Sequence, residues 1–121
     1  MNLADLPDAH INPKLTMGEN IADLGGILLG LDAYKLSVHA KTAEDLDGFS
    51  GEQRVFLGWA QVWRTVIRPE YQLQLLARDP HSPRYVRAFA SLRNVDAWYE
   101  AFGIKEGDEL YIAPEHRVRI W

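Results

Sequence analysis

A mainly α fold is expected from three features of the sequence. Thr16 with Glu19 has the spacing of a capping box ahead of a long helical repeat, Ser50 with Gln53 repeats that spacing ahead of a second one, and Pro69 stands where a third helix can begin. In a capping box a hydroxyl and a carboxylate or amide satisfy backbone N–H groups that the first helical turn leaves unpaired. A proline at the first helical position loses only an N–H that would have had no partner there.

Residues 1–14 contain Asn2, Pro7, Asn12 and Pro13 without a sustained period and read as an extended lead-in to a helical unit over 15–121. The first helix is expected over roughly residues 16–38. Gly48 breaks the acidic linker Glu44-Asp45-Leu46-Asp47. The second helix carries Val55, Phe56, Trp59, Val62, Trp63 and Val66, apolar around much of its circumference, and is expected to be buried. The third runs from Pro69 to about Arg78, and the prolines of Asp79-Pro80-His81-Ser82-Pro83-Arg84 then impose a loop. Tyr85 to Leu92 is compatible with an extended segment or a helix start. Asn94 is a candidate cap for a short helix, Val95 to Phe102, that Gly103 ends in left-handed geometry. The tail reads as a turn at Lys105 to Asp108 and short extended pieces ending at Trp121.

Composition excludes several classes of function. The 121 residues are 47% hydrophobic and 25% charged, as in an ordinary globular domain, with a formal net charge of -4. Lysines and arginines are scattered singly, so no basic stripe suits nucleic acid. No apolar run approaches the roughly 20 residues of a membrane span, and acidic residues near the start argue against a signal peptide. The chain is expected to be soluble and untargeted as it stands. Without cysteine there are no disulfides or thiolate metal sites, and the compartment stays open.

On a wheel of roughly 100° per residue, Ile21, Leu24, Leu28 and Leu31 share one side of the first helix, and Glu19, Asp23, Gly26 and Gly30 the other. Two carboxylates four residues apart repel, and glycines weaken a helix. One reading is a closely packed neighbouring helix that brings positive charge or a metal. The other is an ordinary helix N-terminus, where the dipole favours acids and Glu19 only closes its capping box. The residues alone leave both open.

The string Gly18-Glu19-Asn20-Ile21-Ala22-Asp23-Leu24-Gly25-Gly26 resembles the G-E-N-I-A-D-x-G-G signature of the neprilysin and endothelin-converting-enzyme family of zinc metallopeptidases. The resemblance continues through Glu52 to Leu57, Trp59 to Trp63, Asp79-Pro80-His81-Ser82-Pro83, Arg87 and the terminal Arg117-Val118-Arg119-Ile120-Trp121. Several motifs in one order are more specific than any single pattern. The resemblance implies the helical C-terminal subdomain of a gluzincin-type catalytic domain, from an enzyme that hydrolyses peptides on the amino side of hydrophobic residues. It also implies zinc as cofactor, held by two histidines of an upstream H-E-x-x-H helix whose glutamate is the general base.

By that resemblance Glu19 is the third zinc ligand, and Asp23 accepts a hydrogen bond from a ligand histidine. His81 matches the histidine that donates to the oxyanion, with Asp79 placed to orient it, and Arg87 matches the arginine that binds a substrate carbonyl. Asn20 receives no distinct role, and Gly25 and Gly26 fit a close approach of two helices. His10, His39 and His116 remain surface or packing histidines, and Trp59 and Trp63 core residues.

The departures define what is missing. No pair among His10, His39, His81 and His116 has H-E-x-x-H spacing. Ala88-Phe89-Ala90-Ser91 stands where the family commonly has V-N-G-P, so an altered wall of the substrate pocket is expected, and Val118 stands where neprilysin has a cysteine. The leading expectation is therefore a fragment of a zinc endopeptidase or oligopeptidase, inactive alone, with Met1 internal to a longer chain. A second reading is one half of a split peptidase completed by a chain bearing H-E-x-x-H. A third is a non-catalytic helical interaction protein. In the third, the face of Gly26 and Gly30 would pair with another copy or a different partner, so the isolated chain is expected to self-associate, and weak metal binding by this chain alone is expected in all three.

Overall fold

The computed structural model describes residues 9–42 and 44–121, and at His39 the backbone alone. Residues 1–8 of the expected lead-in lie outside the described residues. The fold is mainly helical, with six α-helices and no strand among the described residues: α1 (Pro13–Leu36), α2 (Val38–Thr42), α3 (Gly51–Val62), α4 (Pro69–Arg78), α5 (Arg84–Arg87) and α6 (Asp96–Phe102).

Helix α1 begins earlier than the Thr16–Glu19 box predicts. Asn12 is the cap, its side chain accepting from the Lys14 N–H at 3.1 Å, and Pro13 opens the first turn. This cap with a proline at the first position suffices to start the helix, so Thr16 falls inside it and its hydroxyl donates back to the Asn12 carbonyl at 3.2 Å. At the other end the Ser37 hydroxyl donates to the Tyr34 carbonyl and accepts from the Ala40 N–H, ending α1 and opening α2.

The second capping box forms as expected: Gln53 N–H donates to Ser50 Oγ at 3.3 Å, and Ser50 N–H to Gln53 Oε1 at 2.8 Å. Ahead of it, Asp47 and Gly48 both have positive φ, 52° and 80°, and fold a tight turn that pairs Leu46 with Phe49. Helix α3 is less buried than its composition suggests. Phe56 alone is fully buried, while Val62 is 67% exposed and Val66 lies beyond the helix in solvent.

Leu24, Ile27 and Leu31 of α1 pack on Phe56 of α3 and on Leu92, Val95, Trp98 and Tyr99. The core stripe is thus rotated from the expected one: Ile27 belongs to it, and Ile21 is 46% exposed. Asp23, about 40° from Ile27 on the wheel, borders the core and is itself buried. Asn94 does not cap α6. Val95 holds that position, and the Asn94 amide serves the Ala90 carbonyl and the Val118 N–H. Gly103 ends α6 at φ 64°, in the left-handed geometry expected of it.

The tail owes its course to Asp96, which accepts from Arg117 at 2.7 Å and Arg119 at 2.9 Å, with the Arg117 guanidinium 3.5 Å above the Tyr99 ring. Trp121 and Ile120 then lie on Gly25, whose absent Cβ would sit 3.4 Å from the indole. The close approach at Gly25 is therefore to the tail, and Gly26 meets nothing within 4 Å. No described helix is long and apolar enough to cross a membrane.

Candidate active site

Three segments meet at the N-terminal half of α1. That helix presents Glu19, Asn20 and Asp23, the loop after α4 brings Asp79, His81 and Ser82, and α5 brings Arg87. All five residues singled out by the family motifs therefore share one region.

The loop is shaped by its own polar groups. Asp79 Oδ1 accepts from the His81 backbone N–H at 2.9 Å and lies 2.7 Å from His81 Nδ1. The backbone N–H holds the Asp79 carboxyl below its ordinary pKa of 3.8, with the His81 ring adding to the effect against partial burial. Ser82, buried, anchors the loop to α1 by donating to Asn20 Oδ1 at 2.7 Å. This gives Asn20 a structural task that no sequence pattern revealed. His81 Nε2 lies 3.3 Å from Glu19 Oε2, an ion pair when the ring is protonated, and both side chains are well exposed.

Arg87 is held from three sides. Its Nε and Nη2 each donate to one oxygen of Asp23 at 2.7 Å, a bidentate pair with side-chain exposures of 14% and 8%. These bonds raise the Arg87 pKa further, so it is a fixed cation. Its guanidinium lies 3.9 Å from the centre of the Trp63 ring, and its carbonyl accepts from Trp59 Nε1 at 3.0 Å. Trp59 packs against the core, as expected, and together with Trp63 at the C-terminal cap of α3 it also holds Arg87. Asp23 spends one acceptor site per oxygen on Arg87, and a carboxylate has roughly four. It retains capacity for a further donor.

Zinc prefers four nitrogen, oxygen or sulfur donors. Among the described residues no three histidine, aspartate or glutamate side chains converge as a metal set. Glu19 and His81 are the two donors facing each other here, while Asp23 is engaged by Arg87. The residues fit one carboxylate arm of a zinc centre and do not make a whole one. His10 and His116 are exposed and stand apart from the site, and the His39 side chain lies outside the described residues.

A cleft of about 820 Å3 opens at the same place, lined by His81 and Arg87 on one side and by residues of α4 and the segment before it on the other.

A family profile described as Peptidase family M13 matches residues 2–118. The chain is similar to Neutral endopeptidase of Lactococcus lactis, 41% identical over 110 residues, covering 91% of this chain and 16% of that protein. It is likewise similar to Neprilysin-1 of Caenorhabditis elegans, 41% identical over 119 residues that cover 94% of this chain and 16% of that protein. Among solved structures it superposes on the zinc metalloprotease Zmp1 of Mycobacterium tuberculosis in its open state with a TM-score of 0.92 and 49% identity, covering 98% of this chain and 19% of that one. An inhibitor complex of Zmp1 gives a TM-score of 0.92 at 47% identity, covering 100% of this chain and 19% of that one. The chain therefore spans about a sixth of the length of the curated relatives it matches.

Proposed function

The chain belongs to Peptidase family M13, and from that premise we propose that it supplies the metal-ligand carboxylate and the transition-state and substrate contacts of a zinc endopeptidase. The observation that carries this reading is the convergence of residues from separate motifs: Glu19 beside His81, His81 on Asp79, and Arg87 on Asp23.

Zinc bound by Glu19 and two histidines of an H-E-x-x-H segment would polarise the scissile carbonyl and activate water. The remaining tasks fall to this chain. Asp79 accepts from His81 Nδ1 when that nitrogen bears the proton, which fixes the ring and leaves Nε2 facing the site. In the doubly protonated ring Nε2 is a donor, now turned to Glu19, and with Glu19 on the metal it is free for the oxyanion of the attacked carbonyl. Arg87, its Nε and Nη2 committed to Asp23, keeps Nη1 for a substrate carbonyl. Trp63 below and Asp23 beside it restrict the guanidinium to one orientation, which favours substrate alignment. Asp23, with acceptor capacity left, is placed to orient a ligand histidine. Hydrolysis on the amino side of hydrophobic residues is supported by the apolar wall of the cleft, Trp63, Ile67 and Leu75.

The test uses this chain joined in frame, or mixed, with a polypeptide bearing H-E-x-x-H. E19Q is expected to lose stoichiometric zinc and peptidase activity together. H81Q is expected to keep zinc and lose about 10²–10³ in kcat, the usual effect of removing one oxyanion donor. An E19Q protein that retained both zinc and full activity would sink the reading.

A further inference from the structure

The cleft beside His81 and Arg87 carries more charge than the peptidase reading uses. Its lining includes Arg68, at the start of α4, and Arg84, at the start of α5. The other charged groups around it are already matched: Arg87 is paired with Asp23, and Asp79 with His81. Neither the Arg68 nor the Arg84 guanidinium has a hydrogen bond or ion pair among the described residues. The rest of the lining joins apolar Trp63, Val66, Ile67 and Leu75 to polar Thr65 and Gln72. Two unmatched guanidiniums in a partly apolar cleft are complementary to a ligand with apolar bulk and a carboxylate, since arginine forks pair with carboxylates bidentately and neither guanidinium has to leave a resident partner. The volume, about 820 Å3, accommodates more than one side chain, so the carboxylate need not belong to the residue at the scissile bond.

We propose that Arg68 and Arg84 form a carboxylate-binding subsite that makes peptides with a negative charge a few residues from the scissile bond the preferred substrates. The proposal rests on the peptidase reading above. The carboxylate has two sources, an aspartate or glutamate side chain and a free peptide C-terminus. Both present the same fork-binding oxygens.

The test compares matched peptides cleaved by the complete enzyme, meaning this chain together with its H-E-x-x-H segment. One pair differs by Glu against Gln near the scissile bond, and a second by a free against an amidated C-terminus. A charge-assisted hydrogen bond at a partly open site corresponds to about a tenfold preference in kcat/KM. That preference is expected in at least one pair, and which pair shows it identifies the source. It should shrink with added salt, because the guanidiniums are exposed. R68Q/R84Q is expected to bring the ratio to about one while leaving the neutral peptide's kcat/KM unchanged, and R84E to turn the preference toward Lys. An enzyme equally active on charged and neutral peptides overturns the proposal and leaves the peptidase reading standing. Where no peptide is cleaved, binding of the same pairs followed by calorimetry decides the question separately. Tighter binding of the carboxylate peptide, lost in R68Q/R84Q, supports the subsite even as the peptidase reading fails, and equal binding overturns it.

Discussion

At the scale of single residues the site is a set of charges whose pairing fixes their positions. Asp23 and Arg87 are 64 positions apart and almost buried, so neither charge is well solvated without the other. D23N is expected to cost about 3 kcal/mol, because it strands the guanidinium, whereas D23N/R87M should cost less than the two single changes added together. Urea unfolding midpoints of the four proteins close this cycle, and additive losses would mean that the pair is not coupled. Asp79 makes a prediction in pH. Its folded-state pKa is lowered, so its contribution is fully present above the ordinary value of 3.8 and is lost as pH falls through the lower folded value. D79N should therefore lower stability at neutral pH, where the Asp79 contribution is fully present, and converge on the parent protein as pH falls below about 4, so that part of the acid sensitivity of unfolding disappears. The sequence motifs picked out Glu19, Asp23, Asp79, His81 and Arg87 and the pairing of Asp79 with His81, but not the pairing of Asp23 with Arg87. Arg87 on Asp23 and Trp63, or Ser82 on Asn20, arises where α3 and the loop after α4 come to lie beside α1, and no local spacing encodes that contact.

At the scale of elements, caps decide where helices start, and the sequence was legible where one cap stood unopposed. Ser50 and Gln53 had no competitor and formed the predicted box. Thr16 and Glu19 had one four residues upstream, Asn12 followed by Pro13, and the earlier start prevailed. Burial was harder to read for a related reason: the apolar residues of α3 outnumber what the described core can cover, so composition overstated its burial at Val62 and Val66. Gln53 holds more than its own helix, since its Nε2 donates to the Ala101 carbonyl of α6 at 2.7 Å. S50A is expected to cost about 1 kcal/mol, the usual loss of a cap hydroxyl. Q53A should cost more, because it also leaves a half-buried carbonyl without its donor. Denaturation midpoints in which Q53A is no worse than S50A would show that the link to α6 contributes nothing.

At the scale of the whole molecule, one face of α1 is left uncovered among the described residues. Ala22, Gly26, Leu29, Gly30 and Ala33 are all exposed, and a Cβ at Gly26 or Gly30 would meet nothing within 4 Å. Glycine in a helix costs about 1 kcal/mol relative to alanine, so within the described residues Gly26 is a cost without a visible return. A closely packed helix on that face would supply the return, and on the function proposed above it is the helix bearing H-E-x-x-H, since Glu19 lies on the same side of α1. The isolated chain is accordingly expected to self-associate through this stripe, with a mass in sedimentation that rises with concentration and returns to one chain in L29E. Gly26→Ala separates the two uses of the face. It should stabilise the isolated helix by up to about 1 kcal/mol, since the new methyl touches nothing, while weakening zinc-dependent assembly with a chain bearing H-E-x-x-H, since it holds the incoming backbone away. If the substitution strengthened both folding and assembly, the missing helix would have to pack elsewhere on α1.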